Sequence, residues 1–210
     1  MNKKYKSTII LTTLLTLSPI LAGLLLWNRL PDTIATHFGA DNTANGWSSK
    51  PMTVFGLPLF LAGVHLLCVF FTMNDPKKKN ISDKMFRIIL WIVPAVSLFM
   101  CLSIYANALG IETNPSLISY LVIGLLFLFL GNYLPKCKQN YTAGIKLPWT
   151  LHSEENWIRT HRLAGWLFVA GGLMMVINCL LQWNWLLWAV LILVTIPEIV
   201  YSYLLFRKGI

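Results

Sequence analysis

Acidic residues are scarce in this sequence: eight Asp and Glu among 210 residues, against 17 Lys and Arg, with charged residues of both signs making up only 12%. Soluble domains carry roughly a quarter of their residues charged, so the chain lacks the polar surface to face water all round. Cysteine is also sparse. Cys68, Cys101 and Cys179 fall in apolar runs and Cys137 in a basic segment. With no CxxC and no pair in a segment expected outside the cell, free thiols rather than a disulfide framework follow. There is no HExxH helix, glycine-rich loop, internal repeat or low-complexity tract.

What the chain has is hydrocarbon: 56% of its residues are hydrophobic, with a mean hydropathy of +0.63. A bilayer core of about 30 Å needs roughly 20 apolar residues in a helix. Six windows qualify, residues 8–27, 53–73, 88–109, 116–134, 163–182 and 185–206, and Glu198 is the one full charge inside them. The sequence therefore predicts an all-α polytopic protein of the cell membrane with six transmembrane helices. The first window follows Lys3, Lys4 and Lys6 but runs on to Trp27 without a small-residue cleavage pattern, so it reads as a retained helix and not a secretory signal.

Of the 17 lysines and arginines, all but Arg29 and Lys50 fall on one side of these spans. Basic loops stay cytoplasmic, which predicts both termini inside. The net charge of +9 is spread over several segments flanking the spans. That arrangement suits anionic lipid and topology, with no direct nucleic-acid partner. Three parts follow: residues 1–74 with two helices and an outer loop at 28–52, residues 75–135 with a central helix pair, and residues 136–210 with a basic segment and a helix hairpin. The outer loop reads as compact and too long for a simple hairpin, with Trp27 and Trp47 at headgroup level.

Residues 146–162, KLPWTLHSEENWIRTHR, stand apart from the hydrocarbon around them. Pro148 disfavours helix at Leu147. Ser153 followed by Glu154 and Glu155 marks a helix start that continues into the fifth span. From that cap, Glu154, Trp157 and His161 share a face, and Glu155 pairs with Arg159 four residues on. An interfacial cap, with Trp149 and Trp157 at the headgroups, accounts for this composition. A metal site from His152, Glu154 and His161 has the wrong spacing and no cysteine. Acid–base catalysis by Glu154 and His161 lacks a nucleophile and an oxyanion device. A docking surface for another protein suits the aromatic and arginine content. No catalytic residue, metal or cofactor is assigned.

Within the spans, Glu198 is costly unless paired or protonated. His65 lies at matching depth, so a buried His65–Glu198 pair is allowed if the second and sixth helices adjoin. Pro58, Pro94 and Pro197 free backbone carbonyls for kinks or a cavity. Asn107, Asn178 and Gln182 read as interhelical glue, and Gly171 and Gly172 as a point of close backbone approach.

The run GNYLPKCKQNYTAGIKLPWTLHSEENWIRTHRLAGWLFVAGG, residues 131–172, resembles the SdpI family of bacterial toxin-immunity membrane proteins. Matching positions are Gly131, Asn132, Pro135, Lys138, Asn140, Gly144, Ile145, Pro148, Trp149, Thr150, Leu151, Ser153, Glu154, Trp157, Thr160, His161 and Gly165. The outer loop LPDTIATHFGADNTANGWSSK, with His37 and Trp47, is similar to the uncharacterised domain that often precedes the SdpI segment. Lys146, Leu147 and Ala35 depart from the usual Arg, Thr and Pro. The resemblance implies protection from a secreted antimicrobial peptide toxin and, in some members, capture of a winged-helix autorepressor at the inner face. It makes Pro148, Trp149, Thr150, Glu154, Trp157, Thr160, His161, Asn132 and Asn140 candidate binding residues, with His37 and Trp47 outside. The competing class is a small transporter or intramembrane enzyme using His65 and Glu198.

Overall fold

A computed structural model describes residues 3–39, 41–111 and 113–210. Six helical stretches among them are long and apolar enough to cross a membrane: Lys6–Leu25, Met52–Met73, Asp83–Ala108, Pro115–Lys136, Glu154–Leu181 and Asn184–Arg207. The protein is an all-α, multi-pass membrane protein, as its apolar windows require. Several spans are broken where proline withholds an amide. The first divides into α1 (Lys6–Leu17) and α2 (Pro19–Leu25), a break absent from the expected continuous helix. A π-helical turn (Met52–Gly56) precedes α3 (Leu57–Met73), which has Pro58 in its first turn. By contrast α4 (Asp83–Ala108) runs unbroken through Pro94. The last span divides at Val194 and Thr195 into α8 (Asn184–Leu193) and α9 (Ile196–Arg207), with Pro197 just inside α9.

The chain forms two compact units, drawn differently from the three parts expected. The first comprises residues up to Asn74 together with Phe86–Pro115; the second comprises Asp75–Met85 and Ser116–Ile210. Hydrogen bonds explain why α4 joins the N-terminal helices. Ser97 Oγ of α4 donates to Thr16 O of α1 at 2.8 Å, and Phe86 of α4 packs edge-on against Tyr5 at 4.6 Å.

The first unit also holds a feature the sequence reading excluded. Its loop is a β-hairpin, β1 (Thr33–Phe38) paired antiparallel with β2 (Ala44–Ser49), in a register that sets Ile34 against Ser48 and Ala35 against Trp47. The pairing satisfies backbone groups that an irregular loop would leave open. Ile34, 1% exposed, plugs the hairpin into a core of Leu30, Val54, Cys101, Ile104 and Tyr105. At the turn, Asn42 takes a left-handed φ of 62°. Asp41 accepts from the Thr43 hydroxyl at 2.7 Å and from Thr43 N at 3.1 Å, which holds its carboxyl below the usual range.

In the second unit, α5 (Pro115–Tyr133) lies directly against α7 (Glu154–Leu181). Glycines make the approach. A Cβ on Gly131 would sit 2.7 Å from Val169 N, and one on Gly172 would sit 2.7 Å from Leu128 N. Gly171 is close-packed too, against Val190 and Val194 of the last span. Small residues let helix backbones meet where hydrocarbon solvent gives no drive to associate. Asn178, expected to tie helices together, instead caps its own turn: it accepts from Trp183 N at 2.9 Å and donates to Trp183 O at 3.2 Å. Asn107 is likewise local, donating to Thr113 Oγ1 at 3.2 Å.

The glycine contact predicts an asymmetry between two small substitutions. Gly131→Ala drives a methyl into the α7 backbone and should cost about 1–3 kcal/mol. Gly63→Ala, which meets nothing within 4 Å, should be neutral or mildly stabilising, as alanine is in a helix. Thermal unfolding midpoints of the two variants in detergent measure the difference.

Candidate functional site

The segment between α5 and α7 doubles back on itself, and its polar groups must find partners locally. It begins with a turn at Leu134–Lys136 and includes the short helix α6 (Pro148–His152). Asn140, fully buried, turns the chain: its Oδ1 accepts from Thr142 N at 2.9 Å and Ala143 N at 2.7 Å, while Nδ2 donates to Lys138 O at 2.8 Å. Thr150 closes the loop's far side. Its hydroxyl donates to Ile145 O at 2.7 Å and accepts from Leu147 N at 2.9 Å.

Beneath the loop lie Trp157 and His161, one turn apart on α7, stacked at 4.0 Å between ring centroids. Trp157 is 0% and His161 1% exposed. Trp157 Nε1 donates to Cys137 O at 2.7 Å. His161 works at both nitrogens. Ile145 N–H can only donate, so His161 Nε2 accepts it, at 3.0 Å; the ring proton therefore sits on Nδ1 and is donated to Trp157 O at 2.8 Å. Gly144, at φ +120°, passes directly over these rings: a Cβ there would lie 2.9 Å from the Trp157 indole and would strike His161 Nε2. The position demands glycine for both space and backbone conformation. Cys137 is buried in the same knot, and that burial pushes its thiol up, so it stays protonated.

On the other side of α7, Asn156 Nδ2 donates to Ser202 O at 2.9 Å and Ile210 O at 3.1 Å, and its Oδ1 accepts from Thr160 at 3.1 Å. Trp149 Nε1 reaches Ser202 Oγ at 2.9 Å while its ring stacks on Phe206. The loop is thus tied to α9 as well as to α7. Ser153 caps α7 as expected, accepting from Asn156 N at 3.2 Å, and α7 runs on into the fifth span.

These positions correct two expectations. Trp157 is not an interfacial anchor, and neither it nor His161 offers a surface to a partner, because both are sealed beneath the loop. Glu154 is exposed and does not join them. With both nitrogens engaged, His161 has no lone pair for a metal and no free site for acid–base work, which removes those two readings. Asn140, Thr150, Trp157 and His161 come together in the buried knot, while Thr160, also buried, bonds Asn156 on the other side of α7. Pro148, Glu154 and Asn132 stand at the surface, Asn132 accepting from Lys136 Nζ at 3.2 Å. The exposed face of α7 carries Ile158 and a Glu155–Arg159 pair at 2.5 Å.

In the first unit, His37 Nδ1 donates to Asn45 Oδ1 across the hairpin at 2.5 Å, and Trp47 is 59% exposed. His65 is fully buried. Thr12 Oγ1 gives its proton to Thr8 O at 2.8 Å, so it accepts from His65 Nε2 at 3.0 Å, leaving His65 Nδ1 with no partner among the described residues. Glu198 in the second unit is 4% exposed, and its Oε2 also has no partner among the described residues.

Sequence reasoning missed Asp75, Gln139, Asn156 and Ser202, all buried. Gln139 Nε2 donates to Thr150 O at 2.8 Å and Leu151 O at 3.0 Å; its backbone carbonyl accepts from Asn80 Nδ2 at 2.7 Å. The only sequence signal for Asp75 is that it is the single acid beside Lys77, Lys78 and Lys79.

Comparison with known proteins agrees with this division of the chain. Residues 136–202, which hold the whole knot and its α9 partner Ser202, match the model of the SdpI/YfhL protein family. Residues 14–62, which include the hairpin, match a domain of unknown function, DUF1648. The chain is 25% identical over 184 residues to the "Immunity protein SdpI" of Bacillus subtilis (strain 168), covering 86% of this chain and 85% of that relative. No solved structure matches. By its apolar spans and these matches, the chain is a multi-pass membrane protein whose residues 136–202 are similar to the SdpI/YfhL family and whose residues 14–62 are similar to DUF1648.

Proposed function

We propose that the chain is an immunity protein of the cell membrane that protects its cell from a secreted peptide toxin. The observation that carries this reading is the likeness to an immunity protein over 86% of the chain, together with the family match over residues 136–202, the stretch that holds the buried knot. In this reading the hairpin, with exposed Trp47, faces outward to the toxin or the lipid around it. The knot lies on the cytoplasmic side, where lysines concentrate.

A signalling role, in which the inner face captures a winged-helix autorepressor, would use what that face exposes: Pro148, Glu154, Ile158 and Arg159. A second reading, a small transporter or intramembrane enzyme, is favoured by one observation. Each unit buries a polar atom with no partner among the described residues, His65 Nδ1 and Glu198 Oε2, and such groups in hydrocarbon are commonly functional.

Deleting the gene from its own strain and growing the deletion in medium conditioned by the parent tests the main reading. Growth should stop and return with a plasmid copy; undisturbed growth would overturn it. In the same assay His65→Phe and Glu198→Gln should restore growth as well as the wild-type copy does. Failure of both at normal protein levels would favour the intramembrane reading. For signalling, Ile158→Asp with Arg159→Glu should abolish co-purification of the repressor while leaving protection intact, whereas unchanged capture would place the contact elsewhere.

A further inference from the structure

The connector between α3 and α4 carries an acidic side chain that the functional reading has not used. Asp75 is 3% exposed although it stands beside three lysines. Its carboxylate is turned onto the family loop. Oδ2 accepts from Tyr141 N at 2.8 Å and from Thr142 Oγ1 at 2.6 Å, and Oδ1 accepts from Lys77 N at 2.7 Å. The same connector reaches the loop twice more: Lys77 Nζ donates to Gln139 Oε1 and lies 5.7 Å from the Tyr141 ring centroid, and Asn80 Nδ2 donates to Gln139 O. Gln139 in turn holds the carbonyls of α6. A carboxylate accepting from backbone and hydroxyl donors forms the stronger class of hydrogen bond, and burial makes its loss more costly.

We infer that Asp75 is the positioning residue of the family loop: it clamps residues 139–142 in place and so makes the α3–α4 connector a working part of the inner face. The geometry stands by itself, and the consequence for immunity rests on the function proposed above. The covalent path gives the clamp a direction. Residues 75–85 pack with the second unit, yet they are bounded by α3 and α4, whose spans lie in the first. The peptide bond between Asn74 and Asp75 joins α3 directly to the clamped residue, so the proposed coupling runs from α3 through Asp75 to the loop.

Cys137, buried beneath the loop, reports the clamp directly. In the full-length protein in mild detergent, the rate at which a water-soluble maleimide modifies Cys137 is read by mass spectrometry of its peptide. Asp75→Asn sets an amide donor against donors and should raise that rate about tenfold or more. Thr142→Val, which removes one of the three bonds at no change in volume, should give a smaller rise, and Asp75→Glu should restore part of the protection. Rates equal to wild type in both Asp75→Asn and Thr142→Val would overturn the clamp. Coupling is tested separately by slack: Gly-Gly inserted after Asn74 and again after Ile81 should leave Cys137 protected while immunity in conditioned medium is lost. Retained immunity in that variant would overturn the coupling. Loss of immunity in Asp75→Asn without faster labelling would overturn the clamp as its cause.

Discussion

The family region is organised around one donor and one acceptor: the Ile145 amide and His161 Nε2. Once that bond is made, the imidazole must carry its proton on Nδ1 and return it to Trp157 O. Gly144 must be a glycine, because the chain passes over the stacked rings. Thr150 must then close the loop on Ile145 O. A buried amide or imidazole nitrogen without a partner costs on the order of 1–3 kcal/mol, and several such groups share this site. The residues are therefore interdependent, and each is best understood as part of the closure.

This changes what the family motif means chemically. Residues that look like a ligand set in sequence, an indole, an imidazole and an amide, are spent on internal bonds. What is left for contact is the outer surface of the loop and of α7, including Pro148, Glu154, Ile158 and Arg159. In the proposed reading, function depends on the shape that the buried groups enforce, and a substitution in the knot acts through the loop it releases.

Much of the architecture was legible in the sequence because hydrocarbon imposes a simple length rule. The six spans, the Ser153 cap, the run of α7 into the fifth span and the close approach at Gly172 follow from charge-free windows, capping chemistry and small residues. The hairpin was not legible, since ANGWSS carries little strand propensity and Ile34 is its one fully buried residue among those described. Trp157 was misplaced for a related reason: helical periodicity assigns a face without saying what covers it. Asp75 left only the faint mark of one acid beside three lysines. Its partners Tyr141 and Thr142 are more than sixty residues away in sequence, and a carboxylate in a lysine run reads as a solvated charge until the fold brings the loop to it.

The state of one imidazole tests this picture most directly. Nitrogen-15 NMR of His161 in the membrane-embedded protein at neutral pH should give a protonated Nδ1 and a bare, hydrogen-bonded Nε2. Replacing Gly144 with alanine should abolish that signature by displacing Ile145. A ring protonated at Nε2, or at both nitrogens, in the wild-type protein would contradict the bond to Ile145 and with it the closed loop.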